Sequence, residues 1–133
     1  MKHQTRDVQV FREDDGDAAI LKDKTVAVLG YGNLGRPLAL NLREGSQARI
    51  IVGSHADASY ESAQSDGFPV SSIANAAAQA EILLLLVPDE VQPEVYRHSV
   101  APHLSRGDAL VFASGFNLAF DMLTLPDHVD VLL

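Results

Sequence analysis

No cysteine occurs in the 133 residues. That excludes a disulfide scaffold, a thiolate metal site and a thiol nucleophile, and it is compatible with a reducing compartment. Positive charge is scarce as well, with a formal net charge of -8. A domain this acidic repels phosphate backbones, so nucleic acid is excluded as the expected partner. Any anionic ligand must then be held by local features such as backbone N–H groups at a helix N-terminus. Long apolar runs are missing too. The longest, Ile82 to Val87, is far short of the roughly 20 residues needed to span a bilayer. The start, MKHQTRDVQVFREDD, lacks the apolar region of a signal peptide. Together these absences predict a soluble, cytoplasmic chain with no membrane partner. Its length is that of one domain, and its 47% hydrophobic content suffices for a core without covalent staples.

What is present is an alternation of two periodicities. Lys24 to Leu29 is a short apolar, β-branched run stopping at Gly30, which reads as a strand buried on both faces. From Asn33 the period becomes helical, with Leu34, Leu38 and Leu42 on one face, Pro37 in the first turn and Glu44-Gly45 as the stop. Ala48 to Val52 reads as a strand, Ser59 to Ser65 as a helix ending at Asp66-Gly67, and Pro69-Val70 as a brief strand. Ser72 is placed to cap an Ala-rich helix reaching Ala80. Ile82 to Val87 is the clearest strand; Pro88 stops it and Asp89 is placed to cap the helix carrying Val91, Val95 and Tyr96. Leu110 to Ala113 and Val129 to Leu133 complete the strands. The acidic run Glu13 to Asp17 is expected to be a solvated loop. Strands alternating with helices predict an α/β fold with a doubly wound, mostly parallel sheet in three layers, α/β/α.

Chemistry enters at Gly30-Tyr31-Gly32-Asn33-Leu34-Gly35, a G-x-G-x-x-G string. The string alone is weak, but here it leaves a buried strand and opens an amphipathic helix, the context of a Rossmann dinucleotide site. Gly30 permits the tight turn, Gly32 lets a pyrophosphate approach the backbone, and Gly35 lets helix and strand pack closely. The pyrophosphate then sits on the helix N-terminus. The end of the second strand should read the adenosine ribose, by an acidic residue for NADH or a basic one for NADPH. The loop there is Ser54-His55-Ala56-Asp57-Ala58-Ser59. Ser54, Ser59 and a protonated His55 suit a 2′-phosphate; Asp57 suits a 2′-hydroxyl or points to solvent. The choice between NADPH and NADH stays open. Pro88, Asp89, Glu90, Val91 and Gln92 follow the strongest strand and fall on the nicotinamide side. Ser114-Gly115-Phe116-Asn117 sits at the next strand end on the same rim; Ser114 has no base beside it in sequence, so it is not expected to be a nucleophile. His3, His98, His103 and His128 lack metal-ligand spacing and are expected at the surface, so no metal site is assigned.

These segments in order resemble ketol-acid reductoisomerases. The resemblance runs through Lys24 to Arg43, Asp66-Gly67-Phe68, Val87-Pro-Asp-Glu-Val-Gln-Pro-Glu-Val-Tyr96, Ala109 to Asn117 and Val129-Asp-Val131. It implies an N-terminal NAD(P)-binding domain over residues 1–133 of an enzyme that reduces and rearranges 2-acetolactate or 2-aceto-2-hydroxybutyrate with NADPH and Mg²⁺, in valine and isoleucine synthesis. It also implies that Tyr31, Gly32, Asn33 and Leu34 contact the dinucleotide, that His55, Asp57 and Ser59 form the ribose-phosphate loop, and that Asp89 to Gln92 lie by the nicotinamide.

Three features depart from the family pattern. Leu34 stands where Gln is usual, and the ribose loop is one residue shorter, with His55 and Asp57 in place of Arg and Ser. Ser114 stands where the family has a histidine, replacing an imidazole with a hydroxyl that does not exchange a proton near neutrality. The carboxylates that hold Mg²⁺ belong to the family's helical second domain, which is not visible after Ser114. The 133-residue chain is therefore expected not to catalyse isomeroreduction unaided. The alternatives are a non-catalytic NAD(P)-binding module derived from the family, and a different dehydrogenase half sharing only the fold; Pro88 to Pro93 argues against the latter. An apolar final strand at a sheet edge would favour a homo-oligomer.

Overall fold

The computed structural model describes residues 10–133. His3 lies outside the described residues. Six strands run in the order β3-β2-β1-β4-β5-β6, where β1 is Thr25–Leu29, β2 Arg49–Gly53, β3 Val70–Ser71, β4 Ile82–Leu85, β5 Ala109–Phe112 and β6 Asp130–Leu132. Every pairing is parallel. The helices are α1 (Gly35–Gly45), α2 (Ala58–Ser65), α3 (Ile73–Ala77), α4 (Gln92–Val95) and α5 (Phe116–Ala119). The chain winds outward from β1 to β3, then returns to place β4 on the other side of β1. This reversal opens a crevice at the carboxyl ends of β1 and β4, where α/β folds bind ligands.

Successive side chains of β1 enter two different cores, which is why Val26 to Leu29 are all apolar. Val26 and Val28 pack with Tyr31, Ala39, Ile50, Val52, Ala63 and Phe68 beneath α1 and α2. Ala27 and Leu29 pack with Ile51, Ile73, Leu83, Leu85, Leu110 and Phe112 on the opposite face. Strand β6 has one neighbour and exposes all three residues.

Several local expectations are corrected. The buried stripe of α1 is Gly35 and Ala39, with Leu42 partly buried, and Leu34 is 46% exposed. Small residues win that face because α1 must approach the glycine turn closely. Gly45 stays helical, and Ser46 closes α1 in an extended conformation, its hydroxyl donating to Leu42 O at 2.6 Å. The Ala-rich helix stops at Ala77, although Ser72 caps it as expected by accepting from Asn75 N. Asp89 caps nothing: α4 begins after Val91 with no side-chain cap, runs four residues and widens into a π-helical turn over Tyr96–Val100. The acidic run forms a 3-10 turn over Glu13–Asp15, with Asp15 accepting from Arg12 N, and it is exposed throughout. No described helix is long and apolar enough to cross a membrane.

Candidate functional site

The glycine turn behaves as its spacing requires. Gly30 has φ +101°, a left-handed conformation costly for any residue with a Cβ, and its N–H donates to Gly53 O at 2.9 Å. A Cβ on Gly35 would lie 1.9 Å from Gly30 O, so only glycine lets α1 start this close to the turn. A Cβ on Gly32 would meet nothing within 4 Å. The N–H groups of Gly32, Asn33, Leu34 and Gly35 have no hydrogen-bond partner among the described residues. They form a cluster of open donors at the positive end of α1.

These donors border a groove of about 450 Å³ lined by Gly30 to Leu34, Ser54, His55, Asp57, Ser59, Ile73, Leu86, Val87 and Pro88. A second hollow of about 480 Å³ continues over Arg36, Pro37, Leu40 and Ser62. The groove therefore gathers most of the predicted dinucleotide residues: Gly30, Tyr31, Gly32, Asn33, Leu34, Ser54, His55, Asp57, Ser59 and Pro88. It adds Ile73, Leu86 and Val87, which sequence reasoning did not single out. Ile73 follows the cap Ser72, and a helix start beside a strand end was the available signal.

A cluster around Asp66 supports the site from behind. Tyr31 is buried, and its hydroxyl donates to Asp66 Oδ2 at 2.7 Å. Its ring meets Phe68 edge-on at 5.9 Å. What Tyr31 offers a ligand is thus chiefly backbone. Arg36 also donates to Asp66, from Nε at 2.7 Å and a terminal nitrogen at 3.1 Å. Arg43 donates to Asp66 O and stacks over Phe68 at 4.4 Å. Hydrogen bonds from Arg36 and then Tyr31 hold the Asp66 carboxyl down at about 2. Burial first, then Asp66, pushes the Tyr31 phenol up to about 12. This cluster ties the glycine turn to the end of α2, and its charges were legible but their distant partner, Asp66, was not.

In the ribose loop, Ser54 is buried at 6% exposure and its N–H donates to Ser71 O. His55 is exposed. Asp57 is the N-cap of α2, its Oδ1 accepting from Ser59 N at 2.9 Å and Tyr60 N at 3.3 Å. The carboxylate that sequence reasoning assigned to a ligand or to solvent also holds the helix.

At the nicotinamide-side rim, Glu90 and Val91 are exposed and outside the groove lining. Gln92 is 2% exposed and directed inward, its Nε2 donating to Leu85 O at 3.4 Å and Val87 O at 3.5 Å. Asn117, placed on this rim from sequence but given no role, is also 2% exposed; its Nδ2 donates to Gln92 Oε1 and Asp89 O, both at 3.0 Å. Ser114 Oγ donates to Asp89 Oδ2 at 3.0 Å, so it has an acidic partner that sequence separation hid. Gly115 is the N-cap residue of α5 and faces Leu133, whose Cδ2 would lie 3.1 Å from a Cβ there. His98, His103 and His128 are exposed. Among the described residues no three His, Cys, Asp or Glu side chains converge as a metal site.

Comparison with known proteins agrees with this geometry. Residues 20–133 match the family model described as acetohydroxy acid isomeroreductase, NADPH-binding domain. An NADH-preferring ketol-acid reductoisomerase from an uncultured archean superposes with a TM-score of 0.86 at 36% identity, covering 94% of this chain and 40% of that one. A semialdehyde dehydrogenase NAD-binding protein from Cupriavidus necator gives 0.72 at 20% identity, over 82% of this chain and 40% of that one. The 3-hydroxyisobutyrate dehydrogenase of Mycobacterium tuberculosis gives 0.65 at 22% identity, over 81% and 38%. The last two share the fold alone. The chain spans about 40% of the length of the reductoisomerase it matches. The glycine turn, the order of the strands and the family match together place this chain in the acetohydroxy acid isomeroreductase (ketol-acid reductoisomerase) family, as its nicotinamide-dinucleotide-binding domain.

Proposed function

We propose that this chain binds NADH in preference to NADPH and is the hydride-donor half of a ketol-acid reductoisomerase acting on 2-acetolactate-type substrates. The observation that carries binding is the set of open N–H groups from Gly32 to Gly35 beside the groove that also gathers the ribose-loop residues and Leu86 to Pro88. The pyrophosphate would lie on these donors. The adenosine ribose would lie by Ser54 to Ser59, and the nicotinamide by Leu86 to Pro88. When bound, the cofactor supplies a hydride; the chain's residues bind and orient it.

The preference rests on Asp57. Its carboxylate occupies Ser59 N and Tyr60 N, the helix donors that would otherwise greet a 2′-phosphate. It leaves a negative charge that repels such a phosphate, while its second oxygen can accept from a 2′-hydroxyl. No Arg or Lys occurs from Ser54 to Ser59, and Arg36 is engaged by Asp66. The related archaeal enzyme is NADH-preferring, which supports the same choice here.

Proton transfer and metal binding are not assigned to this chain. Ser114 has no imidazole to offer, and the described residues give no carboxylate set suited to the several oxygen ligands of Mg²⁺. A calorimetric titration with NADH and then NADPH tests the proposal. Saturable binding with NADH tighter is expected. Tighter NADPH overturns the role of Asp57, and no binding of either at millimolar ligand overturns the dinucleotide site.

A further inference from the structure

The wall of the groove at its nicotinamide end is Leu86, Val87 and Pro88, which run directly into Asp89. This segment has left β4 and precedes α4, a four-residue helix without a side-chain cap. Backbone bonds hold its ends, Leu86 N donating to Leu29 O at 2.8 Å and Gln92 N to Pro88 O at 3.0 Å. Side chains from two directions add to them. Gln92 reaches back to Leu85 O and Val87 O, and Asn117 bridges Gln92 Oε1 and Asp89 O. Both amides are almost wholly buried and belong to the core of the rim.

Ser114 is different. It is half-buried, lies on the loop after β5, and makes a tether to the Asp89 side chain, with Oγ donating to Oδ2 at 3.0 Å. The same oxygen accepts from Phe116 N at 3.3 Å, which fixes the rotamer that points the hydroxyl at Asp89. The tether joins β4's loop to β5's loop across the carboxyl edge of the sheet. Releasing it leaves the Asp89 carboxylate free to rotate beside the groove wall, while the buried amides still hold its backbone.

We propose that Ser114 is a positioning residue: it fixes the Asp89 carboxylate beside the groove wall, at the end where the nicotinamide half of the dinucleotide rests. This rests on the dinucleotide groove proposed above. Leu86 and Val87 pack against Gly30, and Leu86 keeps its backbone bond without Ser114, so the tether acts on the Asp89 side chain at the β4–β5 rim and on one half of the ligand only. That half-selectivity separates positioning from a general loss of structure.

The test compares NADH with ADP-ribose, which keeps the pyrophosphate and adenosine but lacks nicotinamide, on the full chain. Ser114→Ala is expected to weaken NADH about fivefold, the cost of ordering one released side chain on binding, while ADP-ribose stays within about twofold. Ser114→Thr keeps a hydroxyl and should restore NADH binding. Asp89→Ala removes the other partner, and the double variant should lose no more than either single one. Equal weakening of both ligands, no change in either, or additive losses in the double variant would each overturn the proposal. Failure of the unsubstituted chain to bind NADH would instead sink the groove reading itself, and that outcome is visible before any variant is made.

Discussion

Gly35→Ala is the sharpest perturbation of this fold. The added methyl would sit 1.9 Å from Gly30 O, about 1.5 Å inside ordinary contact at 3.4 Å. The obstacle is backbone, held in turn by the bond from Gly30 N to Gly53 O, so no side chain can rotate away. The methyl would also lie 3.4 Å from Val28 Cγ1 in the core beneath α1. Either α1 shifts off the sheet or the turn opens. Overpacking of this kind costs about 1–3 kcal/mol, and a rigid backbone contact puts it at or above the upper end. The helix propensity of Ala recovers at most about 1 kcal/mol, and less at the first helical position. A net loss of about 2 kcal/mol is expected by urea denaturation, with m unchanged. Moving α1 also displaces the open N–H groups from Gly32 to Gly35, so NADH affinity should fall at least tenfold. Gly32→Ala is the control: its methyl meets nothing within 4 Å in the structure, so stability should hold within about 0.5 kcal/mol while NADH binding drops. Equal stability of Gly35→Ala and the unsubstituted chain would refute the close-approach argument.

Three further outcomes follow from the same geometry. Asp57→Ser keeps a cap for α2 but removes the charge; calorimetry should show the NADPH-to-NADH affinity ratio rise about tenfold with little change in thermal midpoint, and an unchanged ratio would remove Asp57 from specificity. Asp66, held near 2 in the fold, favours the folded state above its ordinary range near 4, and that contribution is lost as pH falls from about 4 to about 2. Tyr31, raised to about 12, contributes below pH 10 and loses that contribution as pH climbs from 10 towards 12; unfolding followed by circular dichroism should show both limbs, with Asp66→Asn flattening the acid one and weakening the alkaline one. Asn117→Ala strands the buried Gln92 Oε1 and frees Asp89 O, so denaturation should report a loss of about 2–3 kcal/mol, and a loss below about 0.5 kcal/mol would mean that the buried amide pair is dispensable.

Most of the architecture was legible because it is written locally. Apolar runs buried on two faces, helical periods between them and the glycine string each depend on residues within a few positions. Errors fell where one residue had two possible partners. Asp89 has the chemistry of a helix cap, but Ser114, 25 residues away, holds its carboxylate instead. Asp57 was weighed between a ligand and solvent, and it caps α2. Leu34, Leu38 and Leu42 have helical spacing, yet the sheet selected Gly35 and Ala39 because close approach outweighed apolar area.

The sequence by itself determined the class of fold, the place of the phosphate turn and the rim on which a ligand must lie, because these follow from periodicity and from what glycine alone permits. Only the tertiary structure decided which side chains face the groove and which hold it in place. Tyr31 and Asp66, 35 residues apart, meet only when α1 and α2 pack on one face of the sheet. Gln92 and Asn117 pair only when β4 and β5 lie side by side. A hydrogen bond needs its donor and acceptor within about 3 Å, and the folded sheet, not the spacing along the chain, brings these pairs that close.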